Sequence, residues 1–349
     1  MNFEYPFYEV SGDTYFDVGK CYGMQAKEKI GLAIENYKDF FGRHNSDRTW
    51  DEFREYAMGY VPYLEDYGPE LLEQVRGIAA GSGFAFEDIM ILNTRYEITK
   101  LPSPECTTAC ILPEASGNGH TYLVKNWDFR EGVRDFLVKL HYTLPNGTRI
   151  IGTTEAGQLP RDGMNSNRVA MANNSTSSTL DYYGAGIPVT FIRMKVLSAS
   201  SYEEALEVYL AATRSCTNNS LIATVGQVRS YEAYPDGHRL KEPIGGIVTH
   251  ANHLELRPEI NKYPISQRSD RLNKLLLERY QKIDVEAIKQ VMSDHKDLPE
   301  SICAHPGNAA QPLGDRKITV QSIIYDIDDL NVHIADGPPC ETKFTTYKV

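Results

Sequence analysis

The sequence has no surplus of basic residues. Its 349 residues include 36 Lys and Arg against 47 Asp and Glu, which gives a formal net charge of −11 at pH 7. A chain this acidic has no general attraction for phosphate backbones or for anionic lipid surfaces. We therefore expect neither nucleic acid nor a membrane among its partners.

Long apolar runs and a signal sequence are also missing. The apolar stretches are the length of strands and are interrupted by charges, well short of the roughly 20 residues that span a bilayer. The first ten residues, MNFEYPFYEV, have neither a basic region nor the apolar run of a secretory signal. Both features predict a soluble, cytoplasmic protein.

Metal and cofactor motifs are scarce. The six cysteines are too few and too scattered for a disulfide framework, and none forms a CxxC pair of the kind that binds structural zinc. The histidines of HANH (residues 250–253) lack helical i, i+4 spacing and have no clear thiolate or carboxylate partner. The glycines of GIAAGSGF follow a helix rather than a strand, which is the wrong context for a phosphate-binding loop. We therefore expect activity without a metal or an organic cofactor.

The chain has no linker, repeat or low-complexity tract that would divide it. Residues 20–98 show helical periodicity, with a capping box that begins at Thr49 and a helix that ends at Gly81. After Pro102, short β-branched segments alternate with turn signals such as Asn146-Gly147, and a helical block and a closing hairpin follow. This pattern predicts one α+β domain with helices covering antiparallel sheet.

Cys106 lies in an unusual context for a cysteine. In LPSPECTTACIL two prolines fix the approach of the chain, Glu105 precedes the thiol, and an apolar strand follows. A structural cysteine more often lies within an apolar run, as Cys110 does. Cys106 is therefore a candidate nucleophile, although a small buried residue is the commoner role of a cysteine.

Three other segments carry groups suited to acyl chemistry. KNWDFR places the carboxylate of Asp128 beside Trp127, which can hold an amine or shape an acyl pocket, or can simply end a strand. The amide of Asn252 follows a strand and can donate to an oxyanion. Asp315 and Arg316 precede the strand ITVQSIIYD, where the guanidinium suits a carboxylate or phosphate if it is more than a surface arginine.

These segments occur together and in a particular order. With ECTT, NWD, HANH and SIIYD in this order, the chain resembles the penicillin acyltransferase family (isopenicillin N acyltransferase-like), a branch of the N-terminal-nucleophile hydrolases whose nucleophile is cysteine. The resemblance extends over nearly the whole length, from YFDVGKCYGMQAKEKI through TTEAGQLPRDGMNS and SICAH to RKITVQSIIYD. It is the combination that is specific, since each segment alone is a weak signal.

The resemblance implies a fold and a maturation step. The fold would be the four-layer αββα arrangement, with two stacked antiparallel sheets between helical layers in a single domain, residues 1–349. The chain would cut itself between Glu105 and Cys106, and the helical fragment 1–105 would stay associated with the catalytic fragment 106–349. Cleavage would free the α-amine of Cys106, which titrates near 7.7–8.0 and can act as a base without a histidine.

The resemblance also implies roles for other residues. Asp128 would bind or orient the new ammonium, Asn252 would donate to the oxyanion, and Arg316 would support the thiolate or the substrate. Trp127 would shape the substrate pocket, and the resemblance extends that pocket to Asn174 and Asp315. The substrate would be a small amide or thioester whose acyl group passes through Cys106 to water or to an amine.

Two departures and two alternatives limit what carries over. Glu105 replaces a glycine, and Asp315 a serine, of the penicillin-making enzyme, so we do not expect penicillin as the substrate. A papain-type hydrolase would use Cys106 with a histidine of HANH and Asn252, and would need the cysteine to begin a long helix. The other alternative is an unprocessed, non-catalytic binding protein.

Overall fold

A computed structural model describes residues 4–45, 47–98, 105–307, 311 and 315–349. Over these residues two β-sheets stack face to face, and helices cover the outer face of each sheet. This arrangement confirms the predicted four-layer αββα fold. Among the described residues, none of the helices combines the length and the apolar composition of a membrane span.

The helices form two outer layers. Eight of the described helices cover the larger sheet, and α9 and α10 cover the smaller one. Their bounds are α1 Tyr15–Gln25, α2 Lys27–His44, α3 Trp50–Met58, α4 Val61–Tyr67, α5 Pro69–Ser82, α6 Phe86–Ile98, α7 Val189–Leu197, α8 Tyr202–Ala211, α9 Arg268–Leu277 and α10 Val285–Met292.

The larger sheet has eight strands in the order β1-β4-β5-β6-β7-β8-β9-β10, and the smaller has six in the order β11-β2-β3-β12-β13-β14. Only the pairing of β1 with β4 is parallel among the described strands. The strand bounds are β1 Phe7–Ser11, β2 Glu105–Ile111, β3 Tyr122–Arg130, β4 Leu137–Thr143, β5 Arg149–Glu155, β6 Asp162–Asn165, β7 Ala170–Ser175, β8 Asn218–Thr224, β9 Gln227–Tyr234, β10 Gly237–Lys241, β11 Ile247–His250, β12 Lys317–Asp326, β13 Asn331–Ala335 and β14 Phe344–Lys348.

Most local predictions hold, and the departures have physical reasons. The capping box at Thr49 is present, with both reciprocal hydrogen bonds to Glu52. The predicted helix end at Gly81 is wrong, because α5 continues to Ser82 and the left-handed residue is Gly83, with φ of 76°. Strand β1 precedes the predicted helical region and β14 follows the predicted closing hairpin. Neither was predicted, because edge strands with partly exposed side chains lack the apolar run that identifies a central strand.

Strand alternation decides which way the candidate nucleophile points. In β2, Cys106, Thr108 and Cys110 face the other sheet, whereas Ala109 and Ile111 face α9 and α10. In the neighbouring strand β3, the same alternation directs the carboxylate of Asp128 away from the larger sheet. The thiol and the carboxylate therefore lie on opposite faces of one sheet.

Glycines allow α1 and α5 to approach closely. A Cβ added to Gly77 would lie 2.1 Å from the carbonyl oxygen of Phe16, and one added to Gly81 would lie 2.1 Å from that of Lys20. These neighbours are backbone atoms, which cannot move aside as a flexible side chain can. The helical layer therefore depends on the absence of side chains at these positions.

We expect Gly77→Ala to lower the free energy of unfolding by about 1–3 kcal/mol, because the methyl group forces two helix backbones apart. Gly42→Ala is the matched control, since Gly42 is exposed in α2 and nothing lies within 4 Å of an added Cβ. That control should be neutral or stabilising by up to about 1 kcal/mol. Urea unfolding measures both; equal effects would contradict the close approach.

Candidate active site

Cys106 is the second residue of β2 and lies opposite Trp127 of β3. Its side chain is buried, and its backbone N–H donates to Oδ1 of Asn252 over 2.5 Å. Burial raises the pKa of the Cys106 thiol, although the nearby ammonium of Lys125 acts in the opposite direction. The thiol therefore holds its proton at neutral pH and needs a base to become a nucleophile.

Asn252 follows β11 and connects three groups. Its Oδ1 accepts from Cys106 N and from Nη2 of Arg268 at 2.9 Å, and its Nδ2 donates to the carbonyl oxygen of Ser175 at 2.8 Å. Two donors on one side and a carbonyl on the other determine the orientation of the amide. The Nδ2 amide group of Asn252 is thus directed at Ser175, and the oxyanion role of Asn252 stays a prediction.

Asp128 lies in β3 on the face that α9 covers. Its Oδ1 accepts from the Thr319 hydroxyl at 2.6 Å, and its Oδ2 accepts from Nη1 of Arg268 at 3.1 Å. Arg268 is buried at the start of α9 and so joins Asp128 to Asn252. The sequence analysis missed this arginine, because ISQRSDR carries no motif signal.

The two predicted residues that precede β12, Asp315 and Arg316, make their contacts outside the network of Asp128 and Asn252. Arg316 donates from Nε to the carbonyl of Gln311 at 2.8 Å, and its Nη1 lies 3.9 Å from Glu131. Asp315 forms an ion pair of 2.9 Å with Arg43 of the helical layer. These contacts put both residues at the rim of the sheet, and the guanidinium beside Asp128 and Asn252 is that of Arg268. Gly314 lies outside the described residues, as do Pro102 and Pro104.

The two remaining predicted pocket residues lie near Cys106. Trp127 is buried on the same face of the sheet, and the guanidinium carbon of Arg161 is 4.4 Å from the centre of one of its rings. Asn174 of β7 donates to the Thr108 hydroxyl at 2.7 Å, which links the two sheets two residues from the thiol. Both contacts agree with a site between the sheets.

Buried charges surround this end of the inter-sheet space. Lys125 pairs with Asp162 at 2.6 Å, and Glu155 accepts from both Arg161 at 3.0 Å and Arg95 at 2.5 Å. Such charges are stable in a protein interior only when they are paired and hydrogen-bonded. Paired charged side chains therefore occupy a part of the interior that is apolar in most proteins.

Arg193 of α7 is an exception to this pairing. Its side chain is buried, yet its Nε and Nη1 have no hydrogen-bond partner among the described residues. Leaving charged donors unsatisfied costs free energy, so a ligand that accepts from them gains correspondingly. Arg193 is therefore a candidate contact for an anionic group, and the sequence analysis did not identify it.

A cavity of about 570 Å³ opens beside Arg193. Its volume is within the usual range for small-molecule sites. Through the carbonyl of Ser175 it is connected by two hydrogen bonds to the backbone nitrogen of Cys106. Its lining includes Tyr96, Ser175, Asp181, Arg193, Cys216 and Lys262.

The papain-type alternative does not fit this geometry. Cys106 lies in a strand, not at the start of a helix. His250 is fully buried and its Nε2 lies 2.9 Å from Oε1 of Glu232, so this ring has a carboxylate partner of its own. The ring nitrogen Nδ1 of His253 accepts from the backbone of Ser266. HANH thus places Asn252, rather than a histidine, against the backbone nitrogen of Cys106.

Comparisons with known proteins agree with the resemblance. A model of the family "Acyl-coenzyme A:6-aminopenicillanic acid acyl-transferase" matches residues 115–337, more than half of the chain. The chain is 26% identical over 334 residues to the acyl-coenzyme A:6-aminopenicillanic-acid-acyltransferase 40 kDa form of Emericella nidulans, covering 90% of this chain and 87% of that protein.

Two solved structures with partial likeness to the chain have TM-scores below 0.5. The Caenorhabditis elegans ortholog of N-acylethanolamine-hydrolyzing acid amidase has a TM-score of 0.45 and 14% identity, covering 64% of this chain and 93% of that chain. A mutant conjugated bile acid hydrolase from Clostridium perfringens has a TM-score of 0.45 and 13% identity, covering 70% of this chain and 97% of that chain.

Arg268 and Arg316 offer a direct test of the site's electrostatics. We expect Arg268→Met to destabilise the fold by about 3–5 kcal/mol, because it leaves the carboxylate of Asp128 buried without its cation. Arg316→Met, at a partly exposed ion pair, should cost less than about 1 kcal/mol. Urea unfolding followed by tryptophan fluorescence gives both values. A larger loss at Arg316 than at Arg268 would contradict Arg268 as the cation that stabilises Asp128.

Proposed function

Because the chain belongs to the acyl-coenzyme A:6-aminopenicillanic acid acyl-transferase family, we propose that it is a self-processing cysteine amidohydrolase or acyltransferase. It would cleave or transfer the acyl group of a small N-acyl amino compound through an acyl-Cys106 intermediate. The observation that carries this proposal is the contact of the Cys106 backbone nitrogen with Asn252, within the network of Asp128 and Arg268.

Maturation would begin at the peptide bond between Glu105 and Cys106. The sulfur of Cys106 attacks the carbonyl carbon of Glu105, the carbon–nitrogen bond breaks, and the nitrogen takes up a proton. Water then hydrolyses the resulting thioester, which leaves the carboxylate of Glu105, a free thiol and a free α-amine. Asn252 supports this step, because its Oδ1 already accepts from the nitrogen that becomes the leaving group.

Turnover would use the two groups that maturation creates on one residue. An α-amine with a pKa near 7.7–8.0 can take the proton of the thiol, which burial otherwise keeps protonated. The thiolate attacks the acyl carbon of the substrate, and the substrate nitrogen leaves with a proton from the α-ammonium. Water or another amine then takes the acyl group from sulfur and restores the thiol.

The two fragments would remain one folded unit of residues 1–349. Strand β1 of fragment 1–105 pairs with β4 of fragment 106–349. The backbone nitrogen of Tyr5 donates to Asp336 at 2.9 Å, and its hydroxyl donates to the carbonyl of Val320 at 2.8 Å. The helices before the cut also bury a shared core with the larger sheet. A cut at Cys106 removes none of these contacts.

The cavity supports a substrate with a carboxylate. Arg193 and Lys262 contribute two cations to the lining. The carboxylate of Asp181 in the same lining accepts from Ser177, Ser178 and Thr217, so its charge is already solvated by the protein. An acylated amino acid or a comparable N-acyl acid fits this charge pattern.

Self-cleavage is the first test of the proposal. Wild-type protein should give a fragment that begins at Cys106, whereas Cys106→Ala should remain near 39.3 kDa because no thiol attacks Glu105. Intact mass and N-terminal sequencing measure this, and Cys21→Ala, a half-buried cysteine of α1, is the control that should still cleave. A fragment starting at residue 106 in the Cys106→Ala protein would refute the role of the thiol.

A wild-type chain that stays near 39.3 kDa and does not react with thiol probes would instead favour the non-catalytic binding protein. The acyl group is then identified by incubating the processed protein with a panel of N-acyl amino compounds. Mass spectrometry of the peptide that begins at Cys106 shows which acyl group the sulfur retains.

The charge of the substrate is tested at Arg193. Arg193→Gln should lower kcat/KM about 10- to 100-fold for N-acyl compounds that carry a carboxylate, which corresponds to the loss of a charged hydrogen bond. Uncharged amide analogues should change by less than about threefold on the same reasoning. Normal self-cleavage of the variant serves as the internal control for folding. Equal losses for both classes of substrate would contradict carboxylate binding.

A further inference from the structure

Four metal-ligating side chains converge outside the Cys106 network, namely His295, Cys303, His305 and Cys340. One ligand atom from each lies within 4.8 Å of all the others. Cys303 is buried, His305 is half-buried, and His295 and Cys340 are exposed. The group thus lies at the surface, with one side closed by the protein.

The separations match the edges of a metal-centred tetrahedron. Zinc bonds of about 2.3 Å to sulfur and 2.0–2.1 Å to nitrogen imply about 3.8 Å between sulfurs, 3.5 Å between sulfur and nitrogen, and 3.3 Å between nitrogens. The two sulfurs here are 3.6 Å apart, and the two Nε2 atoms are 3.2 Å apart. Nε2 of His305 lies 3.6 Å from Cys303 and 3.2 Å from Cys340.

Hydrogen bonds alone do not account for this convergence. Nε2 of His305 faces His295, Cys303 and Cys340 at once, but an imidazole nitrogen has only one hydrogen or one lone pair to offer. One cation at the centre would satisfy all four atoms. The other nitrogen of His305 lies 3.8 Å from the carboxylate of Glu341, which is the direction in which an outer carboxylate supports a histidine ligand.

We propose that His295, Cys303, His305 and Cys340 form a closed Cys₂His₂ site for Zn²⁺. Two thiolates and two imidazoles in a tetrahedron are the donor set that zinc takes in structural sites, and four protein ligands leave no position for a substrate. This departs from the expectation of a chain without a metal. No short motif such as a CxxC pair signals this site in the sequence, because its ligand Cys340 lies 35 residues beyond His305.

Hydrogen bonds connect the proposed zinc site to Asp128. Ala304, between two of the ligands, exchanges hydrogen bonds with Thr319, whose hydroxyl donates to Asp128 at 2.6 Å. The carbonyl of Ile302 accepts from Asn126 at 2.8 Å. The metal would therefore hold residues 301–305 against β3 and β12, so its ligands are positioning residues that act through Thr319.

The experiment measures metal content in untagged full-length protein after gel filtration. Wild type expressed in zinc-supplemented medium should carry about one zinc per chain by inductively coupled plasma mass spectrometry. His295→Ala and Cys340→Ser should each lose most of it, and both replace exposed side chains whose loss leaves the core intact. Cys21→Ser and His238→Ala are the matched controls, which should retain the metal.

Two further readouts make the test independent of activity. Cobalt exchanged into wild type should give the visible bands of a tetrahedral ion and the ultraviolet charge-transfer bands of thiolate ligands, and neither should appear in Cys340→Ser. All four ligands lie after residue 106, so Cys106→Ala should bind zinc as wild type does. Zinc in the Cys106→Ala protein thus tests this site whether or not the chain cleaves itself.

Three outcomes would overturn the proposal. One is wild-type protein with neither zinc nor a cobalt spectrum. Another is metal that persists in both His295→Ala and Cys340→Ser. The third is a disulfide between Cys303 and Cys340. Thiol titration of the wild-type protein, unfolded in the presence of a chelator, would then find four thiols instead of six.

Discussion

The buried guanidinium of Arg268 is the interaction on which the site depends. It neutralises Asp128 and donates to Asn252, whose carbonyl oxygen in turn accepts from the backbone of Cys106. A buried carboxylate is tolerated only when a cation and hydrogen bonds compensate its lost hydration. Arg268 supplies the cation and Thr319 the neutral donor, so the carboxylate is stable inside the protein on the face of the sheet that α9 covers.

The alternation of side chains along β2 and β3 places the Cys106 sulfur and the Asp128 carboxylate on different faces of one sheet. The sulfur of Cys106 points into the space between the sheets, near the charges of Lys125, Asp162 and Arg161. Asp128 points to the opposite face, where Arg268 and the segment 301–305 lie. The backbone nitrogen of Cys106 is the group that connects the two. This geometry suits a residue whose sulfur and nitrogen have different tasks.

The helical layer before Cys106 forms part of the site's wall. Tyr37 of α2 donates to Glu155 at 2.5 Å, Arg95 of α6 pairs with the same carboxylate, and Tyr96 lines the cavity. Glycine contacts between α1 and α5 hold this layer together. The N-terminal segment thus contributes side chains to the buried charge cluster and to the cavity lining.

The sequence alone determined the features that depend on neighbouring residues. The capping box at Thr49, the Asn146-Gly147 turn and the strand that carries Cys106 each require only a few consecutive positions, and local backbone chemistry decides them. The order of the short motifs was enough to indicate the family, and with it the four-layer fold.

Only the tertiary structure decided which distant groups meet. Arg268 lies 140 residues from Asp128, and Cys340 lies 37 from Cys303, with no periodicity to connect either pair. Arg316 matched a motif, yet strand register places it at the rim, beyond the level at which Lys317 pairs with Arg130. A side chain's partners are fixed by sheet register and helix packing, which are properties of the whole folded chain, and no local pattern encodes them.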